Sequence, residues 1–291
     1  MKKTSLLLVL LIISAISVNA QLLWKISGNG LEKPSYIFGT HHIAPANFTD
    51  SIAGFNRAFD SCSQLYGEID MADMASLQSQ VSGYVMAPQD STLNKLYSAD
   101  DFSIITEGIK NILGADVNQL LMIKPVAISQ MIAQVFSMQA FPGFNPQMQL
   151  DATLQLRAKN TGKTVKGLES AISQCELLFN EPMKDQAEDL LKMIKDPEKA
   201  KRQTKELADS YVNQDLEMLK KVMLDPEMEQ TEEDLEKLMY NRNRNWVKQM
   251  PEIMKTAPTF FVVGAGHIIQ DGKGVLDLLR NAGYTVEPAN K

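Results

Sequence analysis

The chain has 291 residues, 44% hydrophobic and 22% charged, a balance that supports a packed core and excludes a disordered chain, a coiled-coil rod and a multi-span membrane protein. A net charge of −6 argues against nucleic acid as a partner. Histidine is scarce, with three in the whole chain.

Lys2 and Lys3 precede an apolar stretch over 5–18, and Val18-Asn19-Ala20 closes it with small residues where a signal peptidase cuts. Residues 1–20 therefore predict a cleaved signal peptide, and 21–291 an exported single domain, periplasmic or secreted. The apolar stretch is short for a bilayer and no later segment is apolar enough to cross one, so no stable membrane span is expected after cleavage.

Strands are predicted at 22–26 and 35–38, joined by a turn carrying Gly28, Gly30 and Pro34. A helix follows over about 49–62 and a strand over 64–69. From 72 to about 160 the pattern is mostly helical, punctuated by Pro88, Gly114, Pro125 and a breaker-rich loop at 141–146. A third core strand is predicted at 164–169. Residues 181–255 are charged, Met-rich and helical in period. A strongly apolar strand at 259–263, a helix at 274–281 and a strand at 284–288 close the chain. Strands near both ends and in the middle, with helices between, predict an α/β or α+β domain with helical insertions at about 72–160 and 181–255. An oxidising compartment would permit a disulfide between Cys62 and Cys175; two buried free thiols are the equal alternative.

The chemistry concentrates where the histidines are. Ser35-Tyr36-Ile37-Phe38 runs into Gly39-Thr40-His41-His42, and Phe260-Phe261-Val262-Val263 runs into Gly264-Ala265-Gly266-His267. Each is an apolar aromatic strand followed by Gly-x-x-His, which sets an imidazole at the carboxyl edge of a sheet, where α/β folds place their ligands. Two carboxylates share the context: Glu68 after Tyr66-Gly67, and Glu169 after Gly167-Leu168. Two imidazoles with one or two carboxylates form a nitrogen and oxygen set suited to zinc, manganese, cobalt or iron. Gly264-Ala265-Gly266 is no dinucleotide loop, because too little chain follows for a βαβ unit. No HExxH, GxSxG or Walker motif occurs.

These segments, with Lys163 to Glu169, Arg242-Asn243, Trp246, Gly274-Val275-Leu276 and Gly283-Tyr284-Thr285-Val286, resemble the TraB/GumN family, which includes the Tiki-type secreted proteases. The resemblance runs through the mature chain in the family's own order. It implies a central mixed β-sheet with a large helical insertion, the fold of the Tiki, erythromycin-esterase-like and haem-binding-lipoprotein superfamily. It also implies a metal-dependent hydrolase, a metallopeptidase acting on a peptide or small-molecule substrate through a water activated by a divalent ion (manganese, cobalt or zinc). The residues matching the family's motifs are His42, His267 and Glu68 as metal ligands, with Glu169 as general base or exchanging roles with Glu68. Arg242 matches as oxyanion stabiliser, and Gly39, Gly264, Asn243 and His41 stand around them. A peptide-sequestering protein or a haem or metal carrier would use the same histidines without catalysis.

Overall fold

The structure, a computed structural model, describes residues 21–289 apart from 142, 146 and 147, with the backbone alone at 74 and 75. The predicted signal peptide and two prolines of the predicted 141–146 loop lie outside the described residues. Six strands make one mixed sheet: β1 (Leu23–Ser27), β2 (Ser35–Thr40), β3 (Gln64–Gly67), β4 (Thr164–Gly167), β5 (Thr259–Gly264) and β6 (Thr285–Pro288), in the order β4-β3-β5-β2-β1-β6. Strands β4, β3, β5 and β2 are mutually parallel, whereas β1 pairs antiparallel with both β2 and β6. The α/β expectation with a helical part is met.

The centre of the sheet falls where the sequence is most continuously apolar. Thr259 to Val263 are all buried, as a parallel strand covered on both faces requires. Phe260 of β5 meets Phe55 and Phe59 edge-on at 5.3 and 5.2 Å, and Phe38 of β2 meets Phe55 at 5.0 Å. The hairpin between β1 and β2 turns through Gly28, Asn29 and Gly30, all at positive φ.

Two predictions need correction. The strand expected in the core at 164–169 is an edge strand: β4 has one neighbour, β3, and leaves Thr164 and Lys166 exposed. The helix expected over 49–62 is divided into a 3₁₀ helix, Ala46–Ser51, and an α-helix, Phe55–Ser61, because Gly54 caps the second in the left-handed region at φ 80°.

The helical intervals divide their packing. Ala99–Leu113, Pro125–Ala140 and Met183–Lys195 bury a cluster of their own around Ile105, Ile109, Ile128, Ile132, Phe136 and Leu190. Leu150–Asn160 and Asn241–Thr256 instead send Leu150, Leu154, Trp246 and Met250 into the main core. Those two helices bring Asp151, Arg242 and Asn243 to the sheet. Cys62 and Cys175 are free and buried, in different apolar clusters, so of the two alternatives the structure has the thiols. Among the described residues no helix is long and apolar enough to cross a membrane.

Gly167 sits where β4 passes the backbone that follows β3. A Cβ there would lie 2.8 Å from Asp70 N and 2.9 Å from Ile69 Cα, neither of which can move without shifting the strand. Gly167→Ala is expected to cost about 1–3 kcal/mol in urea unfolding, whereas exposed Lys166→Ala changes stability by no more than about 0.5 kcal/mol.

Candidate functional site

Because β2, β3, β4 and β5 run parallel, their carboxyl ends reach the same edge of the sheet. Each ends in glycine at its last or next-to-last position, and the following residues supply His42, Glu68, Glu169 and His267. The register sets Gly67 opposite Val262 and Thr40 opposite Gly264. Glu68 therefore emerges beside the end of β5, and its Oε1 accepts the Gly264 N–H at 2.8 Å.

Arg242 occupies the middle of this group. Its Nη2 donates to Glu68 Oε2 at 2.6 Å and Glu169 Oε1 at 2.5 Å, and Nε donates to Glu169 at 3.1 and 3.2 Å. Nη1 donates to the Leu238 carbonyl at 2.9 Å and lies 3.0 Å from His267 Nε2. Leu238 belongs to a single π-helical turn, Glu236–Tyr240, a wide turn of the kind found at functional sites. Gln174 Nε2 bridges the two carboxylates, 3.0 Å from each.

The guanidinium settles the tautomer of His267. Arginine only donates, so Nε2 accepts and the proton of the neutral ring is on Nδ1, which donates to Asn243 Oδ1 at 2.6 Å. Asn243, fully buried, then donates through Nδ2 to the Lys273 carbonyl at 2.9 Å. Burial, with Arg242 and His42 nearby, lowers the His267 pKa to about 3 and keeps the ring neutral. Desolvation opposes the charged form of Glu68, yet Arg242, His42 and the Gly264 N–H hold its pKa below the ordinary carboxylate value. Trp246 lies beneath both groups, 4.4 Å from the His267 ring and 4.8 Å from the guanidinium carbon. Arg242, Asn243 and Trp246 share one face of the Asn241–Thr256 helix through i, i+3 and i, i+4 spacing.

His42 has a different partner. Its Nδ1 stands 3.1 Å from Asp151 Oδ2, and the Thr40 hydroxyl donates to Asp151 Oδ1 at 2.9 Å. The Asp151 carboxylate, through its charge and its hydrogen bond, raises the His42 pKa to about 9. His41 is outside this network: its ring packs on Phe141 at 4.9 Å and Tyr211 at 5.5 Å, Nδ1 has no partner among the described residues, and burial lowers its pKa to about 4. Gly39 contributes its carbonyl, which accepts the Tyr211 hydroxyl at 3.1 Å.

A cavity of about 610 Å³ opens onto these groups, lined on its polar side by Thr40, His42, Glu68, Asp151, Arg242 and His267. That volume suits a small molecule or a few peptide residues. Glu169 does not line it and reaches the site through Arg242 and Gln174. The model of the TraB/PrgY/gumN family matches residues 22–288. The chain belongs to that family. No curated protein and no solved structure matches it.

Asp151 and Gln174 were not foreseen from the sequence. Asp151 stands in the first turn of a helix just after the breaker-rich loop, a place where an acid ordinarily serves the helix dipole, and nothing local distinguishes it. The donor chemistry of His42, Glu68 and His267 suits a divalent ion, since each ring is tied at Nδ1 and leaves Nε2 as the donor atom. Among the described residues, however, no three His, Cys, Asp or Glu side chains converge closely enough to hold one, and Arg242 covers the His267 Nε2 lone pair.

Two measurements check this network. Because Asp151 raises His42 above its unfolded value of 6.5, the pair adds stability fully present below about 6.5 and lost as pH rises through about 9. In the metal-free protein the His42 ring proton is expected to titrate near 9 by NMR, and Asp151→Asn should move it down toward 6.5 and remove that pH dependence of stability. Asn243→Leu leaves the His267 Nδ1–H and the Lys273 carbonyl unpaired, and is expected to cost about 1–3 kcal/mol for each orphaned group in chemical unfolding.

Proposed function

We propose that this chain is an exported, metal-dependent hydrolase, a metallopeptidase in which His42, Glu68 and His267 hold manganese, cobalt or zinc. The observation that carries the reading is the delivery of two imidazoles, two carboxylates and a guanidinium by four parallel strands and one helix to the same edge of the sheet, where the cavity opens. Charge balance supports it. Glu68 and Glu169 pair with Arg242 and Asp151 pairs with His42, so with both imidazoles neutral the three carboxylates and one guanidinium leave two negative charges, which one divalent cation would neutralise. Binding would require His42 to give up its proton and Arg242 Nη1 to leave His267 Nε2. A bound ion of this kind would lower the pKa of a water and polarise a carbonyl.

The chain's own residues have distinct tasks in this reading. Asp151, fixed by Thr40, orients His42, and Asn243 orients His267. Glu169 and the Leu238 carbonyl hold Arg242 in place and Gln174 braces the two carboxylates, so in this reading Glu169 acts through Arg242 as a positioning residue, where the family resemblance implies a general base or an exchange of roles with Glu68. Once Nη1 has left His267, Arg242 has one N–H free to donate to a developing oxyanion. The export part of this reading rests on the composition of residues 1–20.

The mature chain should take up about one manganese, cobalt or zinc ion per molecule, releasing about one proton on binding at pH 7, and a folded His42→Ala/His267→Ala variant should take up none. A parent protein that stays empty after incubation with all three metals overturns the metal reading. With metal bound, Arg242→Lys is expected to lower peptide turnover at least ~100-fold while peptide still binds. Tight peptide binding without cleavage by the parent would instead support sequestration.

A further inference from the structure

Beside its charged cluster the cavity has a second wall that none of the roles above uses. Leu178, Leu207, Leu219, Met223, Met228 and Met239 line it without a charge among them. Two of the methionines reach the catalytic turn itself: a Cβ on Gly266 would come within 2.6 Å of the Met223 methyl and 2.9 Å of the Met239 methyl. Glycine at 266, next to His267, leaves room for both thioethers. Resting on the hydrolase reading, we propose that this wall is a specificity subsite that receives a large apolar side chain (Leu, Ile, Met or Phe) adjoining the peptide bond to be cleaved.

The position of the wall argues for an occupant linked to the reacting group. Met223 and Met239 touch the turn that carries His267, and Met239 belongs to the π-helical turn whose Leu238 carbonyl holds Arg242. A side chain seated there is therefore next to the groups that would act on its own backbone. Methionine is unbranched and polarisable, so the wall adapts to several apolar shapes. Its six side chains offer no partner to a carboxylate or ammonium group, which would lose water on packing against them.

The test uses the mature full-length chain and labelled peptides Gly-Gly-X-Gly-Gly, with X as Leu, Met, Phe, Ala, Asp or Lys. Binding is followed by fluorescence anisotropy and cleavage by mass spectrometry. Leu, Met and Phe peptides are expected to bind at least ~10-fold more tightly than Asp or Lys peptides, with the same order in kcat/KM. Met239→Lys should abolish that preference, whereas Met239→Leu should retain it. Met228→Lys, on the surface turn Pro226–Met228, is the second variant should Met239→Lys not fold, and is expected to weaken the same preference. Apolar peptides that bind selectively but are never cleaved would uphold the subsite and count against hydrolysis. Equal binding across X, or a Leu-over-Asp preference unchanged in a folded lysine variant, overturns the proposal.

Discussion

The site is organised by one buried cation. The Arg242 guanidinium spends its donors on two carboxylates, a backbone carbonyl and an imidazole nitrogen, and it sits on the face of Trp246. Glu68 and Glu169 come from neighbouring parallel strands and would repel each other without it. Breaking such a partly buried ion pair by removing one partner ordinarily costs about 3–5 kcal/mol, because the other charge is left uncompensated. The guanidinium also dictates that His267 is neutral and protonated on Nδ1, so one side chain determines both the charge balance and the hydrogen-bond direction of the cluster.

That arrangement depends on the parallel order of the strands. In β4-β3-β5-β2 the four carboxyl ends coincide, so segments separated by more than two hundred residues arrive together. The antiparallel strands β1 and β6 extend the sheet on the side away from β4 and carry none of these groups. The helices between the strands close the cavity above the edge. Leu150–Asn160 brings Asp151 to His42, and Asn241–Thr256 brings Arg242 and Asn243 to His267.

The two histidines have unlike settings although their motifs match. His42 is paired with a carboxylate and its side chain is 63% exposed; His267 is buried against an amide and a tryptophan. One is protonated at neutral pH and the other is not. The repeated Gly-x-x-His spacing records where the chain turns at the end of a strand. It carries no information on what the helices bring to meet each ring.

Strand positions were legible in the sequence because the central strands are short, continuously apolar and punctuated by glycine, and 35–38, 64–69 and 259–263 fall on β2, β3 and β5 to within a few residues. His42, Glu68, Glu169 and His267 were legible for the same reason, since a polar residue just past a strand-ending glycine stands out against an apolar background. The edge position of β4 was not, because a strand's neighbours are chosen by long-range pairing and four residues of alternating exposure read much like four of core. Asp151 and Gln174 were not, because each lies on a helix whose local pattern is ordinary. What the sequence determined by itself is the set of strands, their glycine endings and the family. Only the tertiary structure decided that Glu169 holds Arg242 and that the two cysteines stay apart, since both depend on distances between segments that no local propensity encodes.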